Sequence, residues 1–306
     1  MKVRLPGVYA VQEKIEKNWI RQLACAEQET DAAIVRFVTD GAEGFEVTSS
    51  SLPISVRILH STPRQLPARD EAAVLRHPTA TVVDEVLDAS TGTWLQHPLL
   101  PVADRASTDS NAKAAISSWR GAFAYIQEDR STGVIGLRPP QAGALHAVHA
   151  HWSVSDEVAS VVLPTGTGKT ETMLGVLTSA GCERVIVVVP TDALRTQIAN
   201  KFLTLGLLKA PGSTILAKSA HYPVVGVLEH NIATLDVLST FVEACNVVVT
   251  TSHIAGQLAP EFQARIAELC THLFIDEAHH SEAPTWKKFK AQFGKRQVLQ
   301  FTATPF

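Results

Sequence analysis

At 306 residues the chain is long enough for two domains of ordinary size. Its 45% apolar and 19% charged residues exclude a disordered chain. The formal charge of −3 excludes a global basic field for nucleic acid, although a local groove stays compatible with it.

The first 19 residues carry no apolar run of signal-peptide length. The strongest apolar run, VIVVV at 185–189, is about a quarter of a membrane span, so no membrane partner is expected. The four cysteines, Cys25, Cys182, Cys245 and Cys270, are scattered with no C-x-x-C pair. That spacing argues against a disulfide framework or zinc site and points to a reducing, cytoplasmic setting.

Up to about Arg105 the apolar pattern is patchy and broken by turn-forming residues. VQEKIEKNWIRQLA (11–24) reads as a helix, while DAAIVRFVTD (31–40) and LPISVRILHS (52–61) read as strands. No chemistry-bearing motif is legible there, and no Asp…Glu-x-Lys nuclease arrangement. DRASTDSN (104–111) has linker composition. Residues 1–110 are therefore expected to form a smaller α+β accessory domain of open role, and 111–306 a second domain.

The second domain begins with Ile116, Trp119, Phe123 and Ile126 at helical spacing, which predicts a helix carrying all four on one face. From about Gly136 short β-branched runs alternate with helical stretches. The runs are VASVVL (158–163), RVIVVV (184–189), VVGVL (224–228), NVVVTT (246–251), HLFID (272–276) and QVLQF (297–301). Between them TETMLGVLTSA, DALRTQIANKFLTLG, DVLSTFVEAC and EFQARIAELC carry apolar residues three to four apart. Strands buried on both faces and joined by helices predict a parallel α/β sheet.

LPTGTGKT (163–170) follows one such strand and opens a helix, the context a phosphate-binding loop requires. Backbone N–H groups of Thr165, Gly166, Thr167, Gly168 and Glu171 would face phosphates, with the glycines admitting close approach. Lys169 would neutralise the β- and γ-phosphates of ATP and the Thr170 hydroxyl would ligate Mg²⁺. Leu163 stands where the pattern has Gly or Ala. A polar strand-to-helix turn is the bland alternative. HLFIDEAHH (272–280) places Asp276 and Glu277 at the C-terminal end of a strand, where ligands sit in such sheets. Asp276 suits a metal, Glu277 the attacking water. An acidic strand end before a helix is the alternative there.

Together GTGKT (166–170) and DEAH (276–279) resemble the first motor domain of a superfamily 2 helicase or translocase, a RecA-like P-loop domain. Four more segments resemble the family's motifs and fall in its order. GLRPPQAGAL (136–145) resembles the segment whose Gln, here Gln141, reads adenine. VVPTDALRTQ (188–197) resembles a backbone grip on nucleic acid through Pro190, Thr191 and Gln197, and VVTTSHI (248–254) a second through Thr250 and Thr251. FTATPF (301–306) resembles the element, with Thr302 and Thr304, that His279 ties to the carboxylates. The doubled His of IDEAHH and the LRPPQ segment look most like the motor of the type I and type III restriction Res subunits.

The resemblance implies an ATP hydrolase using Mg²⁺, with Lys169, Asp276 and Glu277 catalytic. DNA is favoured over RNA as its partner. It also implies a second RecA-like domain, in cis or from a partner subunit, because the chain stops at Phe306. The isolated chain is then expected to be inactive or very weak. The alternatives are a truncated interaction or regulatory module, an RNA helicase fragment, and a P-loop switch or small-molecule kinase without nucleic acid. His146, His149 and His151 read as ordinary helix positions, with a metal site as the alternative, and the cluster Lys287, Lys288, Lys290, Lys295 and Arg296 as a solvated face, with an electrostatic contact to nucleic acid as the alternative. Phe123 and Tyr125 read as core residues, with stacking of one of them on adenine as the alternative.

Overall fold

The computed structural model describes residues 1–39, 41–100, 107–164, 166–277, 284–294 and 296–303. Two compact units form: residues 1–10 with 23–103, and 11–22 with 104–306.

In chain order the first strands are β1 (Lys2–Leu5), β2 (Val8–Ile15), β3 (Asn18–Cys25), β4 (Gln28–Asp31), β5 (Ala33–Thr39) and β6 (Ala42–Thr48). They are followed by β7 (Ser55–Leu59), β8 (Ala72–Arg76), β9 (Val82–Val83), β10 (Val86–Asp88) and β11 (Thr93–Gln96). Two sheets make the first unit, in the orders β4-β1-β10-β9 and β11-β8-β7-β6-β5. Side chains alternate across each strand, so Val3, Leu5 and Leu87 of one sheet share a core with Val47, Val56, Ile58 and Leu75 of the other. The strands expected within 31–40 and 52–61 are present as β5 and β7.

The helix expected at 11–24 is instead the β2–β3 hairpin, so the described elements of the first unit are all strands and the α+β expectation is corrected. Glu16 turns the chain at φ 52°. In β3, Asn18, Ile20 and Gln22 are buried at every second position, the period of a strand. Tertiary pairing overrides local helix propensity here. The second unit offers a free sheet edge, and Ile20 pairs opposite Gly226 on it. The buried Asn18 Oδ1 accepts from the N–H groups of Glu229 at 2.8 Å and His230 at 2.9 Å. The sheet thus recruits residues 11–22 from the region expected to be a contiguous first domain.

The second unit continues with α1 (Ser107–Trp119), α2 (Pro139–Val154), β12 (Ala159–Val162), α3 (Lys169–Ser179), β13 (Val185–Val189), α4 (Asp192–Thr204) and β14 (Val225–Val227). Then come α5 (Leu235–Glu243), β15 (Val247–Thr251), α6 (Ser252–Gln257), α7 (Pro260–Leu269), β16 (His272–Ile275), α8 (Pro284–Ala291) and β17 (Gln297–Thr302). The sheet order is β12-β17-β16-β13-β15-β14-β3-β2, with β12 to β14 mutually parallel and β3 antiparallel to β14. All five residues of β13 and of β15 are buried, as strands covered on both faces must be. The parallel α/β sheet and its six strands match the sequence pattern.

One helix is shorter than the spacing predicted. α1 stops at Trp119, Gly121 turns at φ 67°, and Phe123 bridges Leu216 in an extended segment. Phe123 and Ile126 therefore leave the helix face of Ile116 and Trp119. Because the six strands run in one direction, the loops after each C-terminal end gather along one edge of the sheet. Among the described residues, the glycine loop after β12, Pro190 and Thr191 after β13, Ser252 after β15 and Asp276 and Glu277 after β16 lie there.

Candidate functional site

The loop after β12 is shaped by glycine. Gly166 and Gly168 stand at φ 82° and 95°, a region that side-chain-bearing residues rarely adopt. Gly168 caps the N-terminus of α3 without a side chain, and a Cβ there would collide with Gln141 Nε2. The turn is closed by Thr167, whose Oγ1 donates to the Pro164 carbonyl at 2.6 Å. Arg138 Nη1 donates to the Gly166 carbonyl at 3.0 Å, a clamp that residue spacing does not reveal although Arg138 lies in the same LRPPQ segment as Gln141. Gln141 itself is buried, and its Oε1 accepts the Arg138 backbone N–H at 2.8 Å.

Lys169 reaches across the edge to Glu277. Its Nζ is ion-paired with Glu277 Oε1, 108 residues away, with the two side chains 11% and 20% exposed. Glu277 holds φ 52°, strain of the kind stored at functional sites. Beside it Asp276 is buried, and its Oδ1 accepts the Glu277 N–H at 3.1 Å. Burial pushes the Asp276 carboxyl above the usual carboxylate range, against the pull of nearby Lys169 and with the push of Glu277. A small crevice joins these carboxylates to Pro190 and Ser252. Thr302 sits next to the loop entrance: it is buried, and its carbonyl accepts the Leu163 N–H at 2.9 Å.

Glu171 takes a packing duty with its side chain. Its carboxylate accepts from Lys201 Nζ at 2.8 Å and from the Leu207 N–H at 2.9 Å. The Thr170 hydroxyl stands one residue into α3, next to Lys169.

Along the same edge, Thr191 caps α4 and Thr251 caps α6, each hydroxyl accepting a backbone N–H at 3.3 Å. Pro190, Thr191 and Thr251 line one open cavity, and Gln197 is exposed on α4. Thr250 is fully buried and its hydroxyl donates to the Leu228 carbonyl at 3.1 Å. Thr165, His279 and Thr304 lie outside the described residues.

The three histidines of α2 are engaged locally. His149 Nε2 meets Ser179 Oγ at 2.8 Å, His151 Nε2 meets the Glu157 carbonyl at 2.9 Å, and His146 stacks on Tyr125 with ring centroids 4.5 Å apart. Tyr125 is 43% exposed, so it is a surface residue and not the core residue expected. Of the basic cluster, Lys290 is partly buried with Nζ on Gln300 Oε1 at 2.8 Å, and Arg296 donates to the Glu268 carbonyl at 3.0 Å. Lys287, Lys288 and Arg296 are exposed, as a solvated face requires, and Lys290 departs from it by being partly buried. Among the described residues no helix is long and apolar enough to cross a membrane.

A glycine loop between strand and helix, a lysine at the helix start and a carboxylate pair at a neighbouring strand end define a P-loop α/β domain. The family model for the type III restriction enzyme, res subunit, matches residues 134–306, more than half of the chain. The chain belongs to that family, whose members carry a helicase-like ATP-binding motor domain. No curated protein matches it. It is similar to the solved UvsW helicase from bacteriophage T4, at 16% identity over 67% of this chain and 61% of that one, TM-score 0.40. The Pyrococcus furiosus Hef helicase domain is 22% identical over 52% and 32%, TM-score 0.36. A hypothetical ATP-dependent RNA helicase from Sulfolobus tokodaii is 18% identical over 62% and 50%, TM-score 0.41. The chain spans less than two thirds of each of these solved chains.

Proposed function

We propose that residues 111–306 form the ATP-binding motor domain of a nucleic-acid translocase, acting on DNA in preference to RNA in the cytoplasm, with residues 1–110 as accessory. The observation that carries this is the Lys169–Glu277 ion pair, which brings the glycine loop and the carboxylate motif to one point on the sheet edge. In this reading the N–H groups of the 165–171 loop cradle the phosphates of ATP and Lys169 moves from Glu277 to the triphosphate. Glu277, released, orients the attacking water and takes its proton. Gln141 meets the adenine edge from beneath the loop.

The donor set suits magnesium. A buried carboxylate beside a second one favours a compensating cation, and hydroxyl and carboxylate oxygens are hard ligands. Thr170 and Asp276 would hold the ion, which supplies charge neutralisation to the phosphates when bound. Pro190, Thr191, Gln197 and Thr251 would grip the nucleic-acid backbone with neutral groups, which explains binding by a chain of negative net charge. His279, Thr302 and Thr304 would couple that grip to the nucleotide.

A second RecA-like domain, in the same protein or a partner subunit, is the proposed source of the arginine that meets the γ-phosphate. Such an arginine contributes about 10³–10⁵ in rate to related NTPases. The test is ATP binding by calorimetry, then turnover with added single-stranded DNA, duplex DNA and RNA. The 306 residues are expected to bind ATP·Mg²⁺ and to hydrolyse it at background rate, with DNA-stimulated turnover once the second domain is supplied. No ATP binding overturns the motor reading. Stimulated turnover of about 1 s⁻¹ or more by the isolated chain overturns the need for a second domain.

A further inference from the structure

A cavity of about 700 Å³ lies at the N-terminal ends of β12 and β17, the edge of the sheet opposite to the glycine loop. Its walls are the end of α8, the turn that follows it and the loop before β12. Val158, Ala291, Phe293 and Val298 give it an apolar lining, and Val158 is 37% exposed. Sites for small organic molecules have this character, with volumes of about 300–1,000 Å³ and a few placed polar groups in an apolar wall.

Five charged side chains line the cavity: Asp156, Glu157, Lys287, Lys290 and Arg296. Four of them are exposed, two of each sign, and they balance one another in water. Lys290 is the charge left over, and it is partly buried. Its Nζ donates to the neutral Gln300 Oε1 at 2.8 Å, and no carboxylate meets it among the described residues. Burial pushes its ammonium below the ordinary lysine range. A partly buried cation held by an amide alone is short of an anion.

The cation is also held in place. Gln300 Nε2 donates in turn to Ser160 Oγ at 2.7 Å, so β12 and β17 together position the ammonium of α8. A pre-ordered group loses little entropy on binding. We propose that this cavity binds a small amphipathic monocarboxylate, with its carboxylate on Lys290 and its apolar chain along Val158, Phe293 and Val298. A second negative charge on the ligand would meet the apolar lining or the carboxylates of Asp156 and Glu157, so one charge and one apolar chain fit best. The site lies away from the nucleotide edge and does not rest on the motor reading.

The test is ligand-observed NMR on the 306-residue protein with octanoate, octan-1-ol and octylammonium. Octanoate is expected to bind about tenfold more tightly than octan-1-ol, the low end of a charge-assisted hydrogen bond, and octylammonium more weakly than either. Lys290→Met keeps the apolar stem and removes the ammonium, so octanoate should fall to the affinity of octan-1-ol. Val158→Glu, at an exposed position, is the second variant and should weaken octanoate more than octan-1-ol. Equal binding of octanoate and octan-1-ol by the unmodified protein, tightest binding of octylammonium, or a preference that survives both substitutions overturns the carboxylate site. Binding of none of the three overturns the cavity as a ligand site altogether.

Discussion

Replacing Lys169 with alanine removes the cation that joins the glycine loop to the carboxylate motif. In the protein without nucleotide the loss falls on Glu277, which is 20% exposed and sits beside the buried Asp276. A charge-assisted bond of this kind contributes about 1.5–3 kcal/mol. The upper part of that range is expected, because two neighbouring carboxylates then lack their cation. For a domain of this size the unfolding midpoint should fall by about 3–12 °C. Glu277→Gln in the same background removes the stranded charge, so the double variant should lose less than the sum of the single losses, with a coupling of about 1–2 kcal/mol. ATP affinity should fall by about 10- to 150-fold, the same bond energy read as binding. Urea unfolding of the four proteins gives the cycle, and calorimetry gives the affinities. Losses that add within about 0.5 kcal/mol would show that the pair contributes nothing to stability. Unchanged ATP affinity in Lys169→Ala would refute the phosphate-loop assignment itself.

Glu277→Gln should retain ATP but abolish its turnover in a motor completed by a second domain, since an amide takes no proton from water; single-turnover kinetics at the parent rate would remove Glu277 from that role. Gln141→Ala should narrow the preference for ATP over GTP by about 1–3 kcal/mol, read by competition calorimetry, and equal affinities in the parent would already end the assignment. Asp276 gives a pH signature. Burial raises its carboxyl above the unfolded value, so the native state holds the proton longer, and stability is lost as pH rises through the raised value. Asp276→Asn should flatten that loss above the usual carboxylate range, about pH 4, in urea unfolding without nucleotide, while removing magnesium-dependent ATP binding. A steeper loss in the variant would contradict the sign.

Much of the second unit is legible in the order of its residues. Runs such as VIVVV and VVVTT are β-branched and continuous because both faces of a parallel strand are covered, and that burial is written in composition alone. GTGKT and DEAH are equally plain, because phosphate and carboxylate chemistry needs those residue types at fixed local spacing. Arg138 is not legible in this way, since its bond to the Gly166 carbonyl depends on α2 lying beside the loop. Lys290 is hidden for the same reason: whether its ammonium meets water or Gln300 depends on α8 lying beside β17.

The hairpin at β2 and β3 marks the boundary between what the chain carries locally and what only packing decides. Residues 11–24 have helical spacing, yet β14 presents an unpaired edge, and Asn18 finds two backbone N–H groups more than 200 residues away. Thr250 and Thr251 are neighbours in one motif, and strand alternation buries one hydroxyl on Leu228 and leaves the other to cap α6. Residue type and spacing determined the sheet and the nucleotide chemistry, because those depend on a few consecutive residues. Which side chains face the open edge was decided by tertiary structure, because a hydrogen bond between distant segments has no periodicity that a single stretch of sequence displays.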